Sequence, residues 1–118
     1  MNHPLNVELA MRIGLRTALV AQYLWESCDE RFEGRIPSEI GIFDGRAWLK
    51  MSQRTLTVVM PYLTRHTARY ELSRLQRLGI VRARALSDVR FDHTNWYTFT
   101  EHGHDLMFST GCDKDMAP

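Results

Sequence analysis

The chain has 118 residues, of which 44% are hydrophobic, 25% are charged and 10% are aromatic, and its formal net charge is +1. This composition is typical of one globular domain that is long enough to bury its own core. No stretch approaches the roughly 20 apolar residues of a membrane span, and the N-terminus lacks the basic-then-apolar order of a signal peptide, so we expect a cytoplasmic protein without a membrane partner.

The charges are distributed unevenly along the chain. Residues 46–90 contain ten Lys or Arg and two acids, whereas residues 1–45 contain four bases and seven acids and residues 91–118 contain one base and five acids. A basic middle segment favours a polyanion-binding surface, because each neutralised phosphate releases condensed counterions. The alternative is an ordinary solvated surface on which basic residues happen to cluster.

The first predicted element is a long helix over residues 7–30, with Asn6 as its N-cap. Only a narrow stripe of this helix is polar, so its wide apolar surface needs cover from the rest of the domain or from a second copy. The second case would give a homodimer through the N-terminal helix. Residues 31–45 contain three glycines and a proline and are predicted to be a loop, and residues 46–51 a short strand.

The next two elements are predicted to be a helix-turn-helix pair. One helix runs from Ser52 to Met60 and is stopped by Pro61, and the second runs from its N-cap Thr64 to Gly79. The second helix would place its N-terminal half towards base edges in a major groove. Its apolar face is predicted to consist of Ala68, Leu72, Leu75 and, at the edge, Leu78.

Beyond Gly79 the hydrophobic period changes from 3.6 to 2. Residues 80–86 and 96–100 are predicted strands joined by a polar tip at 87–95, which together form a wing beside the second helix. A short helix at 101–108 would pack against the first helix, and 109–118 would be a flexible tail.

The predicted fold is therefore α+β and mainly α. It is a winged helix-turn-helix domain over residues 1–108, with a long N-terminal helix, a two- to three-stranded antiparallel wing sheet and a short C-terminal helix. The three tryptophans are predicted to be core anchors: Trp25, Trp48 and Trp96.

The candidate DNA-binding residues lie on the second helix of the pair and on the wing. Arg69 and Ser73 are expected at base edges, and Arg65 and His66 near phosphates. Tyr70 could stack on a sugar or cover the neighbouring helix, and the arginines could instead only solvate the helix. The full candidate set is Arg65, His66, Arg69, Tyr70, Ser73, Arg74, Arg77, Arg82, Arg84, Arg90, His93 and Asn95.

Other chemistry has little support in the residues. Cys28 and Cys112 are predicted to be free thiols, since two distant cysteines make no disulfide framework. The spacing of His102, His104 and Asp105 fits no standard structural zinc site, so no metal is expected. No Ser-His-acid or Cys-His arrangement and no glycine-rich phosphate loop is evident, so we expect neither an enzyme nor a cofactor.

Five segments, in order, resemble the N-terminal winged-helix domain of phage and plasmid replication initiators, including DnaD-like replisome organisers. They are D44-G-R-A-W48, M51-S52, P61-Y-L-T64, T67-A-R-Y-E-L-S-R-L-Q-R-L-G-I80 and D92-H-T-N-W-Y97. The resemblance implies binding of double-stranded DNA at an origin, self-association, and recruitment of replication proteins by a separate C-terminal region. This sequence has His93 and Asn95 where the family often has arginine or lysine.

The sequence thus predicts a duplex-DNA-binding domain, either of a replication initiator or, as the next alternative, of a winged-helix transcriptional repressor. A different class remains open: a winged helix that serves only as a protein-interaction module, held to its partner by the first helix. The same fold supports all three functions.

Overall fold

The computed structural model describes residues 6–28, 40–43, 45–84 and 94–110. This part of the chain is α+β and mainly helical, as predicted. Its helices and strands are, in order, α1 (Val7–Ile13), α2 (Leu15–Ser27), β1 (Ile40–Phe43), β2 (Arg46–Lys50), α3 (Gln53–Val59), α4 (Arg65–Arg77), β3 (Val81–Arg84), β4 (Trp96–Phe99) and α5 (Glu101–Ser109).

The prediction of one long N-terminal helix is wrong, because Gly14 divides it into α1 and α2. Gly14 has φ 96° and ψ 152°, a conformation that is open to glycine and costly for residues with a Cβ. Helical hydrogen bonding nevertheless reaches the junction from both sides, from the Gly14 N–H to the Ala10 carbonyl and from the Ala18 N–H to the Gly14 carbonyl. Asn6 caps α1 as predicted, accepting a hydrogen bond from the Leu9 N–H at 3.0 Å.

The apolar surface of α2 is covered within the domain itself. Nine of its thirteen residues are buried, among them Tyr23. The exposed apolar side chains of this region lie instead on α1 and at the start of α2, where Val7, Met11 and Leu15 are 62%, 83% and 57% exposed. A second copy is therefore not needed to bury α2.

The four strands form one antiparallel sheet in the order β1-β2-β4-β3. Strands β2, β4 and β3 are the three that the sequence predicts, whereas β1 lies in the segment predicted to be a loop, which corrects both that assignment and the strand number. Phe43 pairs with Arg46, so β1 and β2 are joined by two residues, and Gly45 has φ 72°. Asp-Gly between two extended segments is a strong hairpin signal, and the glycines and proline of 31–45 obscured it.

The two faces of the sheet differ in character. On the inner face, the side chains of Leu49, Val81, Tyr97 and Phe99 join the helical core. Directly opposite residues in an antiparallel pair share a face, and Lys50, Trp96 and Arg84 are in register. The other face, called the outer face here, therefore carries Arg46, Trp48, Lys50, Arg82, Arg84, Trp96 and Thr98.

The two helices predicted after Ser52 and Thr64 are present as α3 and α4. The Ser52 hydroxyl caps α3 by accepting from the Thr55 N–H at 3.0 Å, and the Thr64 hydroxyl caps α4 by accepting from the Thr67 N–H at 3.0 Å. Gly79, with φ 73°, follows the end of α4 and turns the chain into β3.

The last helix, α5, closes the core as predicted. Leu106 and Met107 are buried, and the Phe108 ring lies 5.5 Å from that of Trp25 on α2. The side-chain amide of Asn6 donates to the Thr110 carbonyl at 2.6 Å, which ties the residue after α5 to the start of α1. Ser109 and Thr110 are thus ordered parts of the fold, and residues 111–118 of the predicted tail lie outside the described residues.

The three tryptophans are buried, which confirms them as interior residues: Trp25, Trp48 and Trp96 are 5%, 2% and 7% exposed. Their settings differ, since Trp25 belongs to the main core, whereas the other two lie on the outer face of the sheet. Among the described helices, none combines the length and the hydrophobicity needed to cross a lipid bilayer.

Candidate nucleic-acid interface

Helix α4 is fixed to the domain by one face. Ala68, Leu72 and Leu75 belong to the core, and the carboxylate-bearing Glu71 is also buried, at 2% exposure. Because a helix turns by about 100° per residue, burial of these positions orients the remaining arc of α4 away from the core.

That exposed arc carries most of the predicted recognition residues. Arg65, His66, Arg69, Tyr70, Ser73 and Arg77 are all exposed. The Arg77 guanidinium lies 5.3 Å from the centre of the Tyr70 ring, which holds both side chains against the helix surface. Neither Arg65, Arg69 nor Arg77 makes an ion pair within the described part of the chain, where the ion pairs involve Arg12 and Arg16.

A polar groove runs beside this arc. Its walls are the exposed side of α4, the start of α3 and the start of β4, and it is lined by Gln53, Arg69, Leu72, Ser73, Gln76, Asn95 and Tyr97. Burial raises the pKa of the Tyr97 hydroxyl, although its hydrogen bond with the Asn95 side chain acts in the opposite direction. The structure thus brings the predicted candidates Asn95, Arg69 and Ser73 together in one groove.

Sequence reasoning missed two members of this groove. Gln76 lies three residues after Ser73 and seven after Arg69, so helical spacing alone would have placed it on the same side of α4. Gln53 had no comparable signal, because its position beside α4 depends on how α3 packs. Both amides are paired donors and acceptors, which suits the edge of an adenine.

Arg74 does not belong to the exposed arc. Its guanidinium donates hydrogen bonds to the Ile13 carbonyl and, at 2.7 Å, to the Thr17 hydroxyl. The Ile13 carbonyl lies at the C-terminal end of α1, where a cation is favoured by the helix dipole and fills a vacant acceptor. The predicted DNA contact of Arg74 is therefore replaced by a structural one.

The same contact explains why an acid can be buried on α4. The Thr17 hydroxyl donates to the two carboxylate oxygens of Glu71 at 2.9 and 3.2 Å, and the Arg16 Nε lies 3.8 Å from that carboxylate. Arg74, Thr17 and Glu71 form a continuous polar chain from α1 through α2 to α4. This chain sets the position of α4 relative to the first two helices.

The arginines of β3 lie on the other side of the sheet from the groove. Ala83 pairs with Tyr97, whose side chain lines the groove, and Arg82 and Arg84 flank Ala83 along β3. Because successive strand residues point to opposite faces, both arginines project from the outer face. Arg90 and His93 lie outside the described residues.

The histidines of α5 have other neighbours. The His104 ring lies 5.0 Å from that of Trp25 and stacks on Phe108 at 6.1 Å. Within the described ranges, no group of three or more His, Cys, Asp or Glu residues is placed to hold a metal ion, and Cys112 lies outside them.

The chain has no match among protein-family models, and no curated protein or solved structure is significantly similar to it. The resemblance to replication initiators therefore stays a prediction that depends on the five sequence segments alone.

Proposed function

We propose that this protein is a winged-helix domain that binds double-stranded DNA through the exposed arc of α4. The observation that carries the proposal is the set of three guanidinium groups, on Arg65, Arg69 and Arg77, that share one exposed arc and lack ion-pair partners in the described chain. A helix that only solvates its surface ordinarily balances such charges with acids, and the one acid of α4, Glu71, is buried.

In the proposed complex α4 enters the major groove with Arg69 and Ser73 towards base edges. Arg65 and His66, at the start of the helix, contact phosphates. Gln53 and Gln76 line the adjoining groove and add amide groups that favour adenine. Arg74 takes no part in the contact.

The biological role that we propose is that of a phage- or plasmid-type replication initiator or replisome organiser. Its support is the ordered resemblance of the five segments quoted above. A winged-helix transcriptional repressor is the alternative, and it would use the same α4 surface. A mapped binding site separates the two roles: an origin supports the first, and a promoter supports the second.

The DNA contact is tested by fluorescence anisotropy with a labelled random-sequence duplex over 50 to 200 mM salt. Three phosphate contacts give a log–log slope of about −2.7, which corresponds to about a 40-fold loss of affinity over this range. Arg69→Ala with Arg77→Ala should lower the affinity and make the slope shallower by about 0.9, because Arg77 is the phosphate contact of the pair and Arg69 is directed towards a base edge. Arg12→Ala removes an exposed arginine from α1 and serves as the control, with an expected loss below twofold. Affinity that neither falls with salt nor depends on the α4 arginines contradicts the proposal.

A protein-interaction module is the second candidate, and the exposed apolar residues Val7, Met11 and Leu15 favour it. Apolar side chains at i and i+4 on an exposed helix are the anchors of helix-mediated association. In this case Met11→Glu abolishes self-association, which is measured by sedimentation. Arg69→Ala with Arg77→Ala leaves self-association unchanged. DNA binding that survives Met11→Glu separates the two candidates.

A further inference from the structure

We infer that the outer face of the sheet is a second phosphate-binding surface, which holds a duplex segment other than the one bound by α4. The inference rests on the proposed function and extends it from one DNA contact to two. It starts from the distribution of charge over the described strands. No described strand residue is acidic. The four cations of these strands all lie on the outer face: Arg46, Lys50, Arg82 and Arg84.

The described acids are all on helices. They belong to α1, α2, α4 and α5, and the one nearest to the recognition arc is buried. Arg82 and Arg84 are exposed and make no ion pair in the described ranges. The outer face thus presents its cations in the fixed spacing of a sheet, about 7 Å between Arg82 and Arg84 along β3 and about 10 Å between β3 and β2, because β4 lies between these two strands.

Two of the cations are held flat on the sheet by the tryptophans beneath them. The Arg84 guanidinium lies 5.9 Å from the centre of the Trp48 ring, and the Lys50 ammonium lies 6.0 Å from that of Trp96. A cation over an aromatic face is already oriented, so less side-chain entropy is lost when it binds an anion. Arginine also presents a planar fork that matches phosphate oxygens.

The burial of the same tryptophans indicates which polyanion fits. Proteins that bind single strands stack bases on exposed aromatic rings, but Trp48 and Trp96 are only 2% and 7% exposed. A protein partner would need an apolar centre in its interface, and the apolar side chains described on this face are buried. A duplex backbone needs neither exposed aromatic rings nor an apolar centre, because it is recognised by charge and hydrogen bonding alone.

The register of the sheet separates this surface from the α4 arc. Tyr97 points to the inner face and lines the groove beside Arg69, whereas the neighbouring Arg82 and Arg84 point to the outer face. The two cationic surfaces therefore face away from the core on different sides of the sheet. One protein molecule would then contact two duplex segments.

A bridging assay tests this inference on the full chain. One biotinylated duplex is fixed to beads, and the capture of a second, labelled duplex is measured together with single-duplex anisotropy. We expect Arg82→Ala with Arg84→Ala to reduce capture at least tenfold and to change single-duplex affinity by less than twofold. Because Arg84 packs on Trp48, its removal also changes the surface of the sheet. Arg82→Glu leaves Arg84 in place and is therefore the second variant, which should also reduce capture. Arg82→Lys with Arg84→Lys keeps both charges and should restore capture. A single-stranded competitor should displace the second duplex poorly.

The other outcomes are distinct. The β3 variant is Arg82→Ala with Arg84→Ala, and the α4 variant is Arg69→Ala with Arg77→Ala. If the two variants weaken single-duplex binding equally, the two surfaces form one interface. That result overturns the inference and leaves the proposed function in place. Capture that persists in the β3 variant but is lost in Met11→Glu shows bridging by self-association, which also overturns it. If the α4 variant binds normally and only the β3 variant fails, the α4 proposal fails and the outer face is the binding surface.

Discussion

Arg74 and Arg77 lie three residues apart on α4, and the structure predicts opposite phenotypes for their removal. Arg74 is half-buried and donates to the Ile13 carbonyl and the Thr17 hydroxyl, whereas Arg77 is exposed and packs on Tyr70. We expect Arg74→Ala to lower stability with little effect on DNA affinity, and Arg77→Ala to lower DNA affinity with little effect on stability.

The size of the effect follows from the bonds that are lost. A hydrogen bond to a charged group contributes about 1.5 to 3 kcal/mol, and the partial exposure of Arg74 reduces this, so two bonds give a free-energy loss of about 3 kcal/mol. For a domain of this length, that loss lowers Tm by about 10 °C. For Arg77→Ala, the exposed cation–π contact amounts to about 0.5 kcal/mol.

Urea unfolding followed by tryptophan fluorescence measures both stabilities, and anisotropy at low temperature, where both variants are folded, measures both affinities. Arg74→Met keeps the aliphatic stem and removes only the donors, so it separates hydrogen bonding from packing. A loss below about 0.5 kcal/mol for Arg74→Ala, or a loss of DNA affinity matching that of Arg77→Ala, would refute the structural role of Arg74.

Further predictions concern Tyr97 and two glycines. Burial raises the pKa of the Tyr97 hydroxyl above its ordinary value of 10.0. As the pH rises, Tyr97 therefore ionises in the unfolded chain before it ionises in the folded one, and the stability present below pH 10 is lost above it. Between pH 9 and 11 the urea midpoint should fall less for Tyr97→Phe than for the unmodified protein. At neutral pH the same variant should lose about 1 kcal/mol, because its hydrogen bond with Asn95 is removed. A Cβ on Gly103 would lie 2.0 Å from the Ile80 carbonyl oxygen, so Gly103→Ala should cost about 3 kcal/mol or more. Gly45→Ala, whose Cβ meets nothing within 4 Å but whose φ is 72°, should cost about 1 kcal/mol, and equal thermal shifts for the two glycine variants would contradict the steric account.

Local signals in the sequence were sufficient for most of the secondary structure. The caps Asn6, Ser52 and Thr64 each bond an N–H three residues ahead, as their side chains require. Hydrophobic period separated α4 from the strands that follow it. The sequence also identified the basic middle segment and the arc of α4 that carries Arg69, because both depend only on the order of residues.

The role of Arg74 was decided by tertiary contacts. On a helical wheel Arg74 lies about 40° beyond Tyr70, at the edge of the exposed arc, so spacing alone could not assign it to solvent or to the interior. The Ile13 carbonyl at the end of α1, which accepts from the Arg74 guanidinium, assigns Arg74 to the interior.

The division of the arginines between two surfaces was likewise beyond the sequence. Period 2 showed that Arg82 and Arg84 share a face, but only the pairing of β3 with β4 shows that this face is opposite to Tyr97 and to the groove beside α4. Strand alternation is a local property, whereas the side that meets the helices depends on contacts between residues far apart in the chain. The sequence by itself determined where the cations are, and the fold decided which way they point.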